Sequence, residues 1–447
     1  MSMRIVIAGA GAVGTHLAKL LSVENQDIVL MDTDKDKLNF SNTNLEMMTM
    51  AGSCTSLKDL TEVDVEEADL FIAVTPDESV NITACMLASN MGAKKTFARI
   101  DNYEYLLPKN KEFFGKLGVN SMVYPEMLAA KEIVSALKRP WVRQWIELCD
   151  GNIILAGIKV RDNSELVNKH LYELGQEDKI FHIVAIKRKN ITIIPKGSDQ
   201  VLSGDIVFFT VTKDNIGDLP KIAGKATFDV KNVMIMGGSR IAIRTCQYLP
   251  DSTNIKLLES DKEKSYQLLE KLPKNVTVYH NDGRNAEFLL QEGIKDIDAF
   301  IAVTGNSEAN ILACMAAKRF GVRKTVAEIE NMDYISMAEN LDIGSIINKK
   351  LITVSNIYRF LLSADVSNVK SLTVANADVA EIIARPNSRI TKKEVKKIIL
   401  PKNVTLGGLI RNGEPMMIDG ETMIEPYDHV VVFCLEDSLR EAEKLFH

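Results

Sequence analysis

The chain is poor in the residues that mark specialised chemistry. Its 447 residues include only 6 histidines, 6 cysteines, 2 tryptophans and 12 prolines. The cysteines (Cys54, Cys85, Cys149, Cys246, Cys314, Cys434) are scattered, with no Cys-x-x-Cys pair and no histidine clustered beside them. That spacing argues against a zinc site and a disulfide framework, and it fits a reducing cytosol. Each cysteine is expected to be a small buried hydrophobe. No apolar run approaches about 18 residues, so no segment is expected to span a bilayer. The N-terminus enters a strand pattern at once, without the features of a signal peptide. A net charge of −6 leaves no basic footprint for nucleic acid. There is no Gly-x-Ser-x-Gly elbow, no His-x-x-x-His pair and no Walker loop. No histidine has a recurring carboxylate or cysteine partner. The composition, 46% hydrophobic and 26% charged, is that of an ordinary soluble protein of roughly three domains.

What is present begins at Arg4. Ile5, Val6, Ile7 and Ala8 form an apolar run leading into Gly9-Ala10-Gly11-Ala12-Val13-Gly14, and Val13, Leu17, Leu20 and Leu21 then recur on one helical face. Strand, Gly-x-Gly-x-x-Gly turn and helix open a dinucleotide-binding βαβ unit. Gly9 allows the tight turn, Gly11 lets backbone approach a pyrophosphate, and Gly14 lets helix and strand pack closely. The helix N-terminus presents free N–H groups to the phosphates. A second strand ends at Asp32, placed to bond a ribose 2′-hydroxyl and to repel a 2′-phosphate. Further strands are expected over 45–50, 70–74 and 95–100. Thr75, Glu78 and Asn81 then lie at a strand's C-terminal end, where open α/β sheets bind ligands. Arg99 is placed to clamp phosphate, and Gly52-Ser53 to line the adenine side.

The pattern then restarts. Val233 to Met236 with Gly237-Gly238, the strand ending at Glu259, Ala299 to Thr304 with Asn310, and Thr325 to Ile329 match the first lobe at an offset near 228 residues. The second copy is degraded. Ser239 and Ala242 replace the second and third glycines, and Glu328 stands where the first lobe has Arg99. Glu259 is still placed for a ribose hydroxyl and Asp282, with Asn281, for adenine. Arg240 or Arg284 is placed to supply the missing cation.

The intervening segments also repeat. Strand-like runs over 153–160, 180–186, 191–194 and 201–209 are echoed by 395–400, 406–410, 415–418 and 423–433, with Gly204-Asp205 and Tyr427-Asp428 turns. Two apolar-faced connectors separate the pieces: Leu128, Ile133, Val134 and Leu137 in one, and Leu351, Ile352, Ile357, Phe360 and Leu361 in the other. They either pack on their own lobe or cross to the neighbouring one. The fold class expected is α/β, with two Rossmann-like doubly wound parallel-sheet domains, each followed by a small α+β domain. The limits expected are 1–125 with a connector to about 141, 142–226, 230–348 with a connector to about 366, and 367–447.

A nucleotide fold invites the reading of a soluble NAD-dependent oxidoreductase. The module after each lobe is too small for a catalytic domain, so the nucleotide reads as a signal. The turn Gly9 to Gly14, Asp32, Thr75 with Asn81, and Ala98-Arg99 resemble the nucleotide domain of the regulator-of-potassium-conductance (RCK, or KTN) family. Ile193-Ile194-Pro195 through Gly204-Asp205 resembles its C-terminal partner, the TrkA-C domain. Two tandem pairs without a membrane segment resemble the TrkA family, over nearly the whole chain. The resemblance implies a non-enzymatic regulatory subunit, cytoplasmic and peripheral to the inner face of the cell membrane. It implies NAD(H), with ATP or ADP in some members, bound by Gly9, Gly11, Gly14, Asp32, Thr75 and Arg99. It also implies a homo-oligomer, dimer or tetramer, and an integral-membrane potassium transporter partner of the TrkH/TrkG type.

Overall fold

Ile5, Val6, Ile7 and Ala8 have no exposed surface, as a strand covered by helices on both faces requires. The computed structural model describes residues 3–22, 26–42, 47–174, 181–189, 191–361, 366–372, 375, 377–435 and 438–447. The chain divides into two units, Met1–Leu128 with Lys349–Leu361, and Ala129–Asn348 with Leu362–His447.

The first unit is built on a six-stranded parallel sheet. Its strands are β1 (Arg4–Ala8), β2 (Asp27–Asp32), β3 (Met48–Ala51), β4 (Leu70–Ala73), β5 (Thr96–Arg99) and β6 (Ser121–Val123). Their order is β3-β2-β1-β4-β5-β6, which reverses between β1 and β4 and opens a crevice beyond the strand ends. Helix Ala12–Ser22 buries Gly14, Leu17, Ala18 and Leu21, one 3.6-period stripe. Helix Glu78–Met91 starts at Glu78 because the Asp77 carboxylate caps it by accepting from the N–H groups of Ser79 and Val80. The expected strand over 45–50 is seen as β3, and Leu45 and Glu46 lie outside the described residues.

In the second unit, β7 (Gln144–Leu148), β8 (Ile153–Lys159), β9 (Phe181–Arg188), β10 (Ile191–Ile193) and β11 (Ile206–Thr212) form an antiparallel sheet in the order β10-β9-β11-β8-β7. A second parallel sheet follows: β12 (Asn232–Met236), β13 (Asn254–Glu259), β14 (Val276–His280), β15 (Ala299–Ala302), β16 (Lys324–Glu328) and β17 (Ser345–Ile347), ordered β14-β13-β12-β15-β16-β17. Last come β18 (Val366–Leu372), β19 (Ala377–Ile383), β20 (Val404–Arg411), β21 (Glu414–Met416) and β22 (His429–Leu435), ordered β18-β19-β22-β20-β21. The internal duplication thus extends to sheet order.

It extends to side chains as well. Arg188 pairs through two nitrogens with Asp205 and donates to the Gln200 carbonyl. Arg411 makes the same bonds to Asp428 and the Met423 carbonyl. Gly204 and Tyr427 both take positive φ, at +87° and +71°, so the Gly-Asp and Tyr-Asp turns are conformational equivalents. The two antiparallel sheets share one core, with the Phe208 and Phe433 rings 6.2 Å apart. Across it the Cys149 N–H donates to Glu381 at 2.8 Å and the Thr210 hydroxyl to the Gly407 carbonyl at 2.8 Å.

Some details depart from the expectations or settle what they left open. Residues 395–400 are not a strand. Val395–Lys397 is a single helical turn whose Lys397 N–H returns to Glu394. The strands β6, β7, β14, β17, β18 and β19 were not expected. The second connector, helix Lys349–Leu361, belongs to the first unit, where Val354 and Ile357 are buried beside Leu17, Leu21 and Ile28. The side chains of Phe360 and Leu361 lie outside the described residues. In the second unit, the first connector's Lys131 ammonium lies 6.0 Å from the ring of Tyr248, at the end of helix Arg240–Tyr248. The crossing alternative is the one seen.

Candidate nucleotide site

The turn after β1 is fixed by backbone. Gly9, at φ +110°, donates its N–H to the Met31 carbonyl at 2.8 Å. A Cβ there would stand 3.0 Å from the Thr75 nitrogen, so only glycine lets β1 turn this close to β4. A Cβ on Gly14 would fall 1.9 Å from the Gly9 carbonyl oxygen, which is how closely the helix sits on the turn. Gly11 differs from both, since a Cβ there meets nothing within 4 Å. Ala12 and Val13 begin the helix, whose first N–H groups face the crevice side of the turn.

Each neighbouring strand end adds a group. Asp32 accepts the Ala10 N–H at 2.7 Å through one oxygen and the Asp34 N–H at 2.9 Å through the other. The Gly52 N–H donates to the Asp32 carbonyl at 3.0 Å, and the Ser53 N–H to the Asp59 carboxylate at 2.7 Å. On the other side, fully buried Asn81 accepts from both the N–H and the hydroxyl of Thr75, at 2.9 and 2.7 Å. Its amide donates to the carbonyls of Thr75 and Arg99 at 3.0 and 2.9 Å. Gly52, Asp32, the glycine turn, Thr75, Asn81 and Arg99 therefore form one continuous rim.

One of the expected residues is used differently. Glu78 turns to the loop after β5, accepting the N–H groups of Asp101 and Asn102 at 2.7 and 2.8 Å. Thr75 does not cap the following helix, since Asp77 does. Arg99 keeps an unspent face, with its Nε buried and unbonded and its nearest carboxylate, Asp101, 3.7 Å away. Asp59 was overlooked, although Ser56 accepts its N–H in a readable Ser-x-x-Asp cap. Replacing Asn81 with aspartate removes both amide donors while keeping shape. About 2 kcal/mol of stability should be lost, with the midpoint of urea unfolding as the measurement.

The equivalent turn in the second unit is furnished differently. Gly238 stands where the first lobe has Ala10, and a Cβ on it would strike Leu268 at 2.4 Å and Glu259 at 2.9 Å, while Ser239 stands where the first lobe has Gly11. Glu259, nearly buried, accepts the Gly238 and Asp261 N–H groups and the Lys264 ammonium, the last at 2.7 Å. Burial would raise its pKa, but those bonds together hold it below the ordinary carboxylate value. The Ser239 hydroxyl caps helix Arg240–Tyr248 by accepting the Ala242 N–H. Asp282 is paired with Arg284 at 2.7 Å. The Thr304–Asn310 clip, by contrast, repeats the Thr75–Asn81 bonds. The scaffold is kept, and the groups that line the turn are not.

No group of three or more His, Cys, Asp or Glu among the described residues is arranged to hold a metal. All six cysteines are buried, and burial pushes the thiols of Cys54 and Cys149 up to about 11 and about 12. No helix among the described residues is long and apolar enough to cross a membrane.

Two family models match in alternation: the TrkA-N domain over residues 5–125 and 233–349, and the TrkA-C domain over 155–224 and 379–447. The Trk system potassium uptake protein TrkA of Halomonas elongata is 30% identical, with 99% of this chain and 98% of that one covered. The protein of the same name from Haemophilus influenzae is also 30% identical over the same shares. Among solved structures, the GsuK channel bound to NAD matches with a TM-score of 0.61 at 14% identity, over 100% of this chain and 79% of that one.

Proposed function

The chain belongs to the TrkA family of Trk system potassium uptake proteins, and on that premise we propose that it is a nucleotide-sensing regulatory subunit. In this reading the first lobe binds NAD(H), and ADP or ATP compete for the same turn. The second lobe is a structural copy. The four domains follow the limits 1–125, 142–226, 230–348 and 367–447, with the connectors between. The chains assemble as dimers or tetramers on the cytoplasmic face of the membrane and gate a TrkH/TrkG-type potassium-translocating subunit.

The observation that carries this is the contrast between the two equivalent turns, one open at Gly11 beside Arg99, the other with Ser239 in the place of Gly11, its hydroxyl spent as a helix cap, and buried Glu328 in the place of Arg99. The GsuK channel bound to NAD shares the fold, which supports the choice of ligand. The inert, buried thiols support a role in signalling without catalysis. A bound nucleotide can shift the assembly only through unequal affinity for two of its shapes. The asymmetry of the lobes means that one site per chain exerts the bias.

The test is calorimetric titration of the full chain with NADH, NAD⁺, ADP and ATP, repeated on Gly11→Asp. Because a Cβ at Gly11 meets nothing, the variant should fold with an unchanged melting temperature while its carboxylate occupies and repels the phosphate position. Saturable binding at one site per chain, weakened at least about 100-fold in the variant, is expected; that factor is about 2.7 kcal/mol. Binding unaffected by the substitution would remove the first lobe from the account. Asp32→Ala should weaken NADH binding by a smaller factor, through the ribose and through the released Ala10 N–H.

A further inference from the structure

Asp342 sits in a left-handed turn, φ +53°, between helix Met332–Asn340 and β17. Three cations converge on it. Arg143 bonds its carboxylate, Lys159 lies 3.0 Å away, and Lys318 lies 3.4 Å away while also donating to the Asp342 carbonyl. Behind them Lys324, almost wholly buried, has only neutral oxygens, donating to Val142 and Ser345 at 2.9 Å each. Lys225 feels the same crowd. Burial first, then Arg161 and Arg143, push its ammonium down to about 7. Arg143, Lys159 and Lys318 thus converge on Asp342, and Glu339 is a second carboxylate within electrostatic reach of Arg143.

In front of this cluster lies a cavity of about 340 Å³, walled by residues of β8 and β9, the Ser203-Gly204 turn and the segment from Glu339 to Ile346. Lys187 and Arg188 on its wall are matched by Glu339 and Asp205 respectively. Arg143, Lys159 and exposed Lys189 also line it, and Arg143 and Lys159 share Asp342. Positive charge taken out of water in excess of its counter-charge is costly, and a bound anion offsets that cost. The volume lies at the small end of ligand pockets, roughly 300–1,000 Å³. A guanidinium fork with two ammonium groups suits a tetrahedral, multiply charged oxyanion better than a lone carboxylate. We propose that this cavity, walled by the first antiparallel sheet and the second parallel-sheet lobe, is a binding site for a small phosphate-bearing anion held by Arg143, Lys159 and Lys189. It is separate from the glycine turn of the first unit and does not depend on that site.

The chain's two tryptophans, Trp141 and Trp145, flank Arg143 in sequence, and the Arg139 guanidinium lies 3.8 Å over the Trp145 ring. Their fluorescence is the readout. Pyrophosphate titrated into full-length Gly11→Asp protein, whose first-lobe site is disabled, should give a saturable change that sulfate at equal ionic strength does not reproduce. Lys189→Glu, on the exposed rim and so expected to fold, should weaken that binding at least about tenfold. Asp342→Asn removes the carboxylate that competes for the same cations, so it should tighten binding severalfold even as it destabilises the chain. A merely internal ion network predicts no such tightening. ADP binding more tightly than pyrophosphate identifies a nucleotide diphosphate as the source of the anion, and equal binding identifies the inorganic ion. A response that fails to saturate, matches sulfate, or is unchanged in Lys189→Glu would overturn the proposal. If Asp342→Asn does not fold, the Lys189→Glu comparison decides alone.

Discussion

Gly14→Ala is expected to cost more than about 3 kcal/mol, beyond the usual range for an overpacked side chain. The added methyl would lie 1.9 Å from the Gly9 carbonyl oxygen and 3.1 Å from its carbon. That obstacle is backbone, and it is pinned, because the Gly9 N–H is held by Met31 and its flank by the Thr75 nitrogen. The helix would have to lift from the sheet, exposing Leu17 and Leu21. Gly11→Ala is the control for added volume at the same turn, with open space around it and, at the residue before the helix, no gain in helix propensity. Chemical denaturation of both should show a large fall in midpoint for the first and almost none for the second. Equal midpoints would mean that the helix does not rest on the turn.

Asp342→Asn should lower stability at neutral pH by about 3 kcal/mol, the loss typical of removing one partner from a buried charge cluster. Asparagine tolerates the left-handed backbone as well as aspartate does, so the effect isolates charge. Burial alone would raise this carboxyl's pKa, but Arg143, Lys318 and Lys159 hold it down to about 2, from an ordinary 3.8. A depressed pKa contributes stability above the unfolded value, and that contribution is lost as pH falls through the folded one. Parent and variant should therefore differ fully above about pH 4 and converge as pH drops towards 2. Urea unfolding followed across that range measures it, and a difference that persisted at the acid end would place the effect elsewhere.

The parallel sheets were legible because their strands are short, buried on both faces and nearly all apolar. Ile5 to Ala8, Leu70 to Ala73 and Ala299 to Ala302 carry no polar residue. The antiparallel sheets were less so. In β19 the inward position of Glu381 interrupts the apolar alternation, since the carboxylate is needed for the Cys149 N–H across the core. In β7 the alternation is present, with Ile146 and Leu148 buried around exposed Glu147, but it follows so closely on Pro140 that it reads as the tail of the connector. The rim of the nucleotide crevice was legible as positions and not as bonds. That Asp32 holds the Ala10 N–H, and that Glu78 braces Asp101 and Asn102, depends on where backbone N–H groups point. The cation cluster left no trace in sequence, because Arg143 and Asp342 are 199 residues apart.

The packing of Val354 and Ile357 beside Leu17 and Leu21 has a consequence for biosynthesis. The last helix of the first unit leaves the ribosome about 220 residues after Leu128. At about 5–20 residues per second, the nascent first lobe waits roughly 10 to 45 s with an apolar stripe of its opening helix uncovered. Throughout that interval the first antiparallel sheet and the second parallel-sheet lobe are being made. The early lobe is therefore the part of the chain with most need of chaperone cover during translation, and the part most exposed to damage by a ribosome that stalls in the second half of the message.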